Sequence, residues 1–289
     1  MKNLFFLFIV FYCAISLVAC KKDNKATPPS NSSFYPINFN LSQEGLMSNS
    51  LTSKTKLLSS KTASSSDDTV RVLQYLVYNP SKQVIRRVLQ SSYLPNFGHI
   101  RDSLQAGNYT VAMLMGRASI LGDTAITAGQ DVFFKKFPLV VSNSAISLTA
   151  VLPRIAASLE INLEDPIPAT VNKITVIIDK RNTYYSIWKE MPISPVATTY
   201  TFQITSADIG IKNKKFNFIN FNTTAPFKVT ITATGPNSYS ATKTINNVVC
   251  TTNKKTTLTG TLFDAGNYPD SFIIKIDDKF SSDTTRVGF

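Results

Sequence analysis

Two residue types that can act as nucleophile, general base or soft metal ligand are scarce in this sequence: cysteine, at positions 13, 20 and 250, and histidine, at position 99 alone. A single imidazole rules out a multi-histidine metal site. It could serve a serine triad, but no GxSxG elbow is present to carry the nucleophile. P-loop, GxGxxG, CxxC and HExxH patterns are also absent. The acidic pairs Asp67-Asp68 and Asp277-Asp278 lack the alternating ligand spacing of a calcium loop and read as solvated loop or edge carboxylates. His99, in "NFGHIRD", reads as an exposed or capping residue on a loop leading into a strand. No stretch specifies a reaction, so the expected catalytic, cofactor and metal sites are none.

The cysteine chemistry concentrates at Cys20. Lys2 supplies a positive start, and the apolar run Leu4 to Val18, about 15 residues, is short for a membrane span. The following Leu17-Val18-Ala19-Cys20 resembles a bacterial lipobox. On that reading residues 1–19 are a lipoprotein signal peptide: the small Ala19 enters the protease site, and the Cys20 thiol carries diacylglycerol as the lipid attachment site. Two or three acyl chains there anchor the chain to a membrane far more firmly than one. Residues 20–33, with "KKDNKATPPSNSS" after the cysteine, are polar and proline-bearing and read as a flexible tether. The charges beside Cys20 resemble the export tags of Bacteroidetes surface lipoproteins, so the expected address is the outer membrane, at the cell surface. With Cys13 removed and Cys20 acylated, Cys250 has no disulfide partner. It follows the apolar "INNVV" and reads as a buried structural thiol, because a reactive one needs a neighbouring base and exposure.

The length of 289 residues allows two ordinary domains or one large one, and a hydrophobic fraction of 43% allows a real core. The net charge of +12 comes from Lys and Arg scattered among strands and loops. Without a dense basic run or a nucleic-acid motif, this predicts a solvated surface with some pull toward anionic glycans and no nucleic-acid partner.

The elements that must position these residues follow a period of two, the mark of half-buried strands. Tyr35, Ile37, Phe39 and Leu41 form one apolar row. Ile155, Ala157, Leu159, Ile161 and Leu163 form another, alternating with Arg154, Ala156, Ser158, Glu160 and Asn162, and Phe227, Val229, Ile231 and Ala233 form a third. "VRVLQYLVY", residues 70–78, is apolar on both faces and reads as a central strand. Further strands are expected at 84–89, 109–115, 145–152, 172–179, 200–204, 215–221, 257–263 and 272–276. Turn residues separate them: "NPSK" before Val84, "AGN" before Tyr109 as a hairpin, and "GPNS" before Tyr239. "FGHIRDSL" and "ITSADIG" read as single helical turns capped by Asn96 and Ser206. The expected fold is all-β, in two sandwiches. The expected division is an N-terminal sandwich over 34–152, with a mobile Ser/Thr/Lys loop at 46–68, and a C-terminal sandwich over 153–289.

Four stretches carry a family resemblance: the lipobox with its tether; "VLQYLVYNPSKQVI" followed by "LQAGNYTVAML"; "VLPRIAASLEINLEDPIPATVNKITVIID"; and "NNVVCTTNKKTTLTGTLFD", with Asn253, Thr257, Leu258, Gly260 and Phe263 in place. In this order they resemble the fimbrillin-like lipoproteins of Bacteroidetes, which include fimbrial shaft subunits and FimB-type anchors. The resemblance implies two tandem transthyretin-like β-sandwich domains, no enzyme activity, and fimbrial subunits as partners through strand addition at a sheet edge. It also implies, for shaft subunits, cleavage at an arginine after the first strand. Here that residue is Arg71, inside an expected central strand, which favours an anchor or accessory role. The alternative is a surface glycan-binding lipoprotein, with Tyr93, Tyr184, Tyr185, Trp188 and Tyr239 as candidate sugar platforms; as ordinary strand residues these need no ligand.

Overall fold

The computed structural model describes residues 33–43, 72–221, 225–263 and 272–277. The expected signal peptide, Cys20, the expected tether up to residue 32, the 46–68 segment with Asp67-Asp68, Arg71 and Asp278 lie outside the described residues. Within them the protein is all-β: seventeen strands and no helix, in four sheets.

The first sheet has three strands. β1 (Phe34–Gln43) lies in its centre, antiparallel to β4 (His99–Gln105) and parallel to β7 (Ile146–Leu152). The second sheet packs against it and is built from β2 (Val72–Tyr78), β3 (Val84–Ser91), β5 (Gly107–Leu121) and β6 (Thr124–Val141). Two short strands, β10 (Tyr184–Ser186) and β11 (Met191–Ile193), extend that sheet beyond β6, although they come from the second half of the chain. The third sheet orders β12 (Val196–Gln203), β9 (Lys173–Arg181), β14 (Phe227–Thr234) and β15 (Ser240–Val248) side by side. The fourth orders β13 (Lys214–Asn220), β8 (Ala157–Leu163), β16 (Lys255–Gly260) and β17 (Ile273–Asp277).

Three apolar clusters result. One lies between the first two sheets and contains Ile37, Phe39, Tyr75, Val77, Val111, Met113 and Leu152. A second fills the space between the third and fourth sheets, around Leu159, Ile161, Val176, Phe216, Val229 and Leu258. The third covers the other face of the second sheet, where Leu76, Tyr78, Leu114 and Phe134 meet Ile155, Tyr185, Ile187 and Phe221. The centre of the second sheet is thus buried on both faces, which explains why residues 72–78 read as apolar on both sides.

The apolar rows hold their inward faces: Ile37 and Phe39, the row Ala157 to Leu163, and the row Phe227 to Ala233 are buried, while Ile155, ahead of β8, packs with Ala156 into the third cluster. Four expectations are corrected. "FGHIRDSL" does not form a helical turn: a turn ends at Gly98, and residues 99–105 are extended. They are strand β4, because Ile100 and Leu104 alternate into the core while His99, Arg101 and Ser103 face away, an arrangement with period two and not 3.6. "ITSADIG" is a turn in which Asp208, not Ser206, does the capping: its Oδ2 accepts from Thr205 N (3.0 Å) and Thr205 Oγ1 (2.8 Å). "AGN" is no hairpin but a crossover, since β4 and β5 belong to different sheets, and the Tyr109 hydroxyl donates back to Gln105 O at 3.1 Å. Finally, the polar row of β8 is not solvated. β8 is central in its sheet, Ser158 and Glu160 are buried, and Glu160 is held between Lys255 (2.8 Å) and Lys215 (3.4 Å). A buried carboxylate needs such partners, because an unpaired charge out of water is costly.

Candidate functional site

Among the described residues, the two rare side chains, Cys250 and His99, lie apart, one in the C-terminal core and the other on β4 of the first sheet. Cys250 is 1% exposed within the C-terminal core, and Asn220 Nδ2 donates to its sulfur at 3.7 Å. Burial pushes its thiol up to about 11, so the thiolate is scarce at neutral pH. The native protein is therefore expected to resist iodoacetamide at pH 8, and the denatured protein to react at once. Rapid alkylation of the native thiol, read by mass spectrometry, would place Cys250 outside the core. His99 lies on the outer face of the first sheet, its Nδ1 paired with Asn40 Oδ1 at 2.8 Å.

The candidate sugar platforms do not converge. Tyr185 is buried and packs its ring on Phe134 and Phe221 at 5.5 and 5.6 Å between centroids. Trp188 is half-buried and meets the Tyr78 ring edge-on at 4.9 Å, with Lys82 and Lys136 over its faces at 5.3 and 5.4 Å. Tyr93 sits in the turn after β3, Tyr239 in the β14–β15 hairpin, and Tyr184 on β10, three separate elements. Aromatics that the sequence suggested as a ligand surface are divided between the join of the two halves and unrelated turns.

That join holds two arginines that composition and motifs did not single out. β6 leaves its regular pairing with β5 between Val132 and Thr127, opposite Gly116 and Ala118. Gly116 adopts a φ of +138°, and a side chain there would strike the Asp131 carbonyl, so glycine is required at this bulge. The displaced segment reaches toward the second half of the chain. Arg154 Nε contacts both oxygens of Asp131 at 2.8 and 3.0 Å, and its Nη1 donates to Asn253 Oδ1 at 2.9 Å. Arg181 is buried, donates to Ile219 O at 3.2 Å and lies over the Tyr200 ring. Burial holds its guanidinium below the usual arginine range. Phe134 N donates to Pro153 O and Ile155 N to Val132 O, each at 3.0 Å, so backbone bonds also cross the join. One sequence signal for this was available: Arg154 directly precedes an apolar run.

The first strand is the element most relevant to assembly. Ile37 and Phe39 are 0% and 1% exposed, and their strand is paired along both edges. Phe39 contacts the rings of Tyr75 and Phe137 at 5.6 and 5.9 Å. Tyr75 is itself fixed by a hydroxyl hydrogen bond to Asp102 at 3.1 Å, and burial raises its phenol above the usual range. Among the described residues, the edge strands include β4 and β7 in the first sheet and β3 and β11 in the second, and on β3 Val84, Ile85 and Leu89 are exposed. In the fourth sheet the edge strand β17 exposes Ile273, Ile274 and Ile276.

This architecture is similar to that of several solved structures. The fimbrial anchor protein Mfa2 of Porphyromonas gingivalis superposes with a TM-score of 0.52 at 12% identity, covering 85% of this chain and 98% of that one. A candidate adhesin of Bacteroides thetaiotaomicron gives 0.52 at 10% identity, over 86% and 98%. A structure from the same organism, described as candidate polysaccharide-binding proteins, gives 0.52 at 7% identity, over 78% and 92%. The chain shares the fold of these proteins. No family model matches the sequence, and no curated protein does; at such identities the likeness is one of fold.

Proposed function

We propose that this chain is a non-enzymatic, lipid-anchored cell-envelope protein that serves as a fimbrial anchor or accessory subunit, in fimbria assembly or adhesion. The observation that carries the proposal is the docked first strand. β1 is central in its sheet, paired on both edges and buried by Ile37 and Phe39. A subunit with that groove filled by its own chain suits the base or flank of a fibre, and partners then meet it at an open edge such as β3 or β17. The shared fold with a fimbrial anchor and an adhesin supports the same reading. On this proposal residues 1–19 are removed, Cys20 carries the lipid, residues 20–33 tether the protein to the outer membrane at the cell surface, and sandwiches at 34–152 and 153–289 form the body. β10 and β11, which add to the second sheet, then act as a strap between them.

Gentle cross-linking in the native membrane, followed by identification of the neighbours, tests the assignment. Fimbrial subunits among the cross-linked proteins are the expected result, and their consistent absence would overturn it. The Cys20→Ala variant is expected to stay unprocessed or to become soluble. Unchanged mass and unchanged membrane retention would remove the lipid anchor from the proposal.

A further inference from the structure

The outer face of the three-stranded sheet is the surface on which the polar side chains of β1, β4 and β7 come together. We propose that it is a binding site for an acidic glycan, one whose sugars bear carboxylates. The register sets two rows across the sheet. Asn40 of β1 lies opposite His99 of β4 on one side and Thr149 of β7 on the other. Asn38 lies opposite Arg101 and Ser147. Neighbouring strands stand about 4.8 Å apart and successive outward residues about 6.7 Å apart, so the six side chains form a compact grid.

Two depressions open on this area. One, of about 430 Å³, is lined by the side of the grid holding Asn38, Asn40, His99, Arg101 and Ser147. The other, of about 590 Å³, runs past Val88, Gln90, Pro95 and Asn96. His99 and Arg101 line both and form their shared wall. The wall is held in place from behind. Gln90 Nε2 donates to His99 O at 2.7 Å, and Gln90 Oε1 accepts from Gly98 N at 2.9 Å. The His99–Asn40 contact at 2.8 Å occupies Nδ1 and leaves Nε2 for a ligand.

The charge selects the class of ligand. Among the described residues no carboxylate lines either depression, and Arg101 forms no ion pair. Asp102, its neighbour in sequence, turns to the opposite face, where Tyr75 and Arg86 hold it. Arg101 therefore presents an uncommitted fork of N–H donors suited to a carboxylate. The amides of Asn38 and Asn40 and the hydroxyls of Ser147 and Thr149 both donate and accept, which matches sugar hydroxyls. A protein partner fits less well. Protein interfaces have an aromatic or aliphatic centre depleted of charge, and the apolar residues lining the first depression, Phe39 and Ile100, are each 1% exposed. The aromatic platforms considered from sequence play no part in this site.

Isothermal titration of the chain from residue 20 onward, with Cys20→Ser to keep it soluble, tests the proposal with polygalacturonate and alginate oligomers, with dextran as the neutral probe. Binding to at least one acidic polymer, weakened by added salt, and none to dextran are expected. Arg101→Gln and the double variant Asn38→Ala/Asn40→Ala should each weaken binding about tenfold while the melting temperature holds, because these residues stand on the outer face. Failure to bind either acidic polymer, equal binding to dextran, or indifference to Arg101→Gln would overturn the site. So would capture of a fimbrial subunit abolished by Arg101→Gln in a protein that binds no glycan, which would make the face a protein interface. The anchor reading stands or falls separately, on the membrane cross-links.

Discussion

A chain lacking residues 34–43 is expected to lose the packing of its first two sheets while the third and fourth stay folded. Among the described residues β1 alone joins β4 to β7, so its removal takes from both the pairing it gives them and opens the cluster around Tyr75 and Met113 to water. Burial of Ile37 and Phe39 alone is worth about 1.5–3 kcal/mol each, and Tyr35 and Leu41 add partly buried area. The C-terminal core draws none of its buried residues from β1, so the loss should be local. Thermal unfolding should then show an early, weak transition and a later one close to that of the full chain. The peptide FYPINFNLSQ, supplied in trans, should restore the early transition, and a peptide of scrambled order should not, because only the native alternation places Ile37 and Phe39 inward. A deleted chain with the full-length melting profile would show that β1 is dispensable and would remove the main support for the closed-groove reading. Full restoration by the scrambled peptide would show that the groove selects hydrophobicity without register.

Leu159→Ala should strongly destabilise the C-terminal half. Leu159 is fully buried on β8, the central strand between β13 and β16, and faces the core shared with Val176, Phe218 and Val229. The neighbouring strands are fixed by pairing, so the site cannot collapse easily around a void. A cost of about 2–5 kcal/mol follows. Thr232→Ala makes the contrast. It lies on the outer face of the third sheet, where its hydroxyl meets Thr242 at 3.1 Å, and should change stability by no more than about 0.5 kcal/mol. Chemical denaturation with the slope compared between variants measures both. A midpoint for Leu159→Ala within error of the parent would mean that β8 is not packed as described.

Cys250 shows how far local signals carried. Its apolar approach and its missing disulfide partner predicted an inert thiol, and it lies in the core with its proton held tightly. The three alternating rows were legible in the same way, because a strand with one buried face writes its burial into every second residue. Residues 72–78 showed no alternation, and the structure supplies the reason: one face meets β1 and its partners, the other meets Ile155, Tyr185 and Phe221. In residues 97–104 only Ile100 and Leu104 are buried apolar residues, a spacing that also fits one helical turn, and the strand β4 begins straight after a turn.

What the sequence determined by itself was the all-β class, the inward face of each clean strand, and the lack of a catalytic motif. Partner choice was decided only in three dimensions. Nothing local in β1 announces a parallel neighbour at Ile146–Leu152, and nothing in Tyr184–Ile193 announces that it will extend a sheet made by the first half of the chain. The same holds for Glu160, which reads as a solvent residue until two lysines from flanking strands close over it. The polar grid of Asn38, Asn40, His99, Arg101, Ser147 and Thr149 is of this kind too. Its members are scattered along three strands, and only the register of β1 with β4 and β7 makes them neighbours. Alternation records whether a residue is inside or outside, a property of its own strand. Pairing is set by the closure of long loops and by the competition among sheet edges, which depend on the whole chain at once.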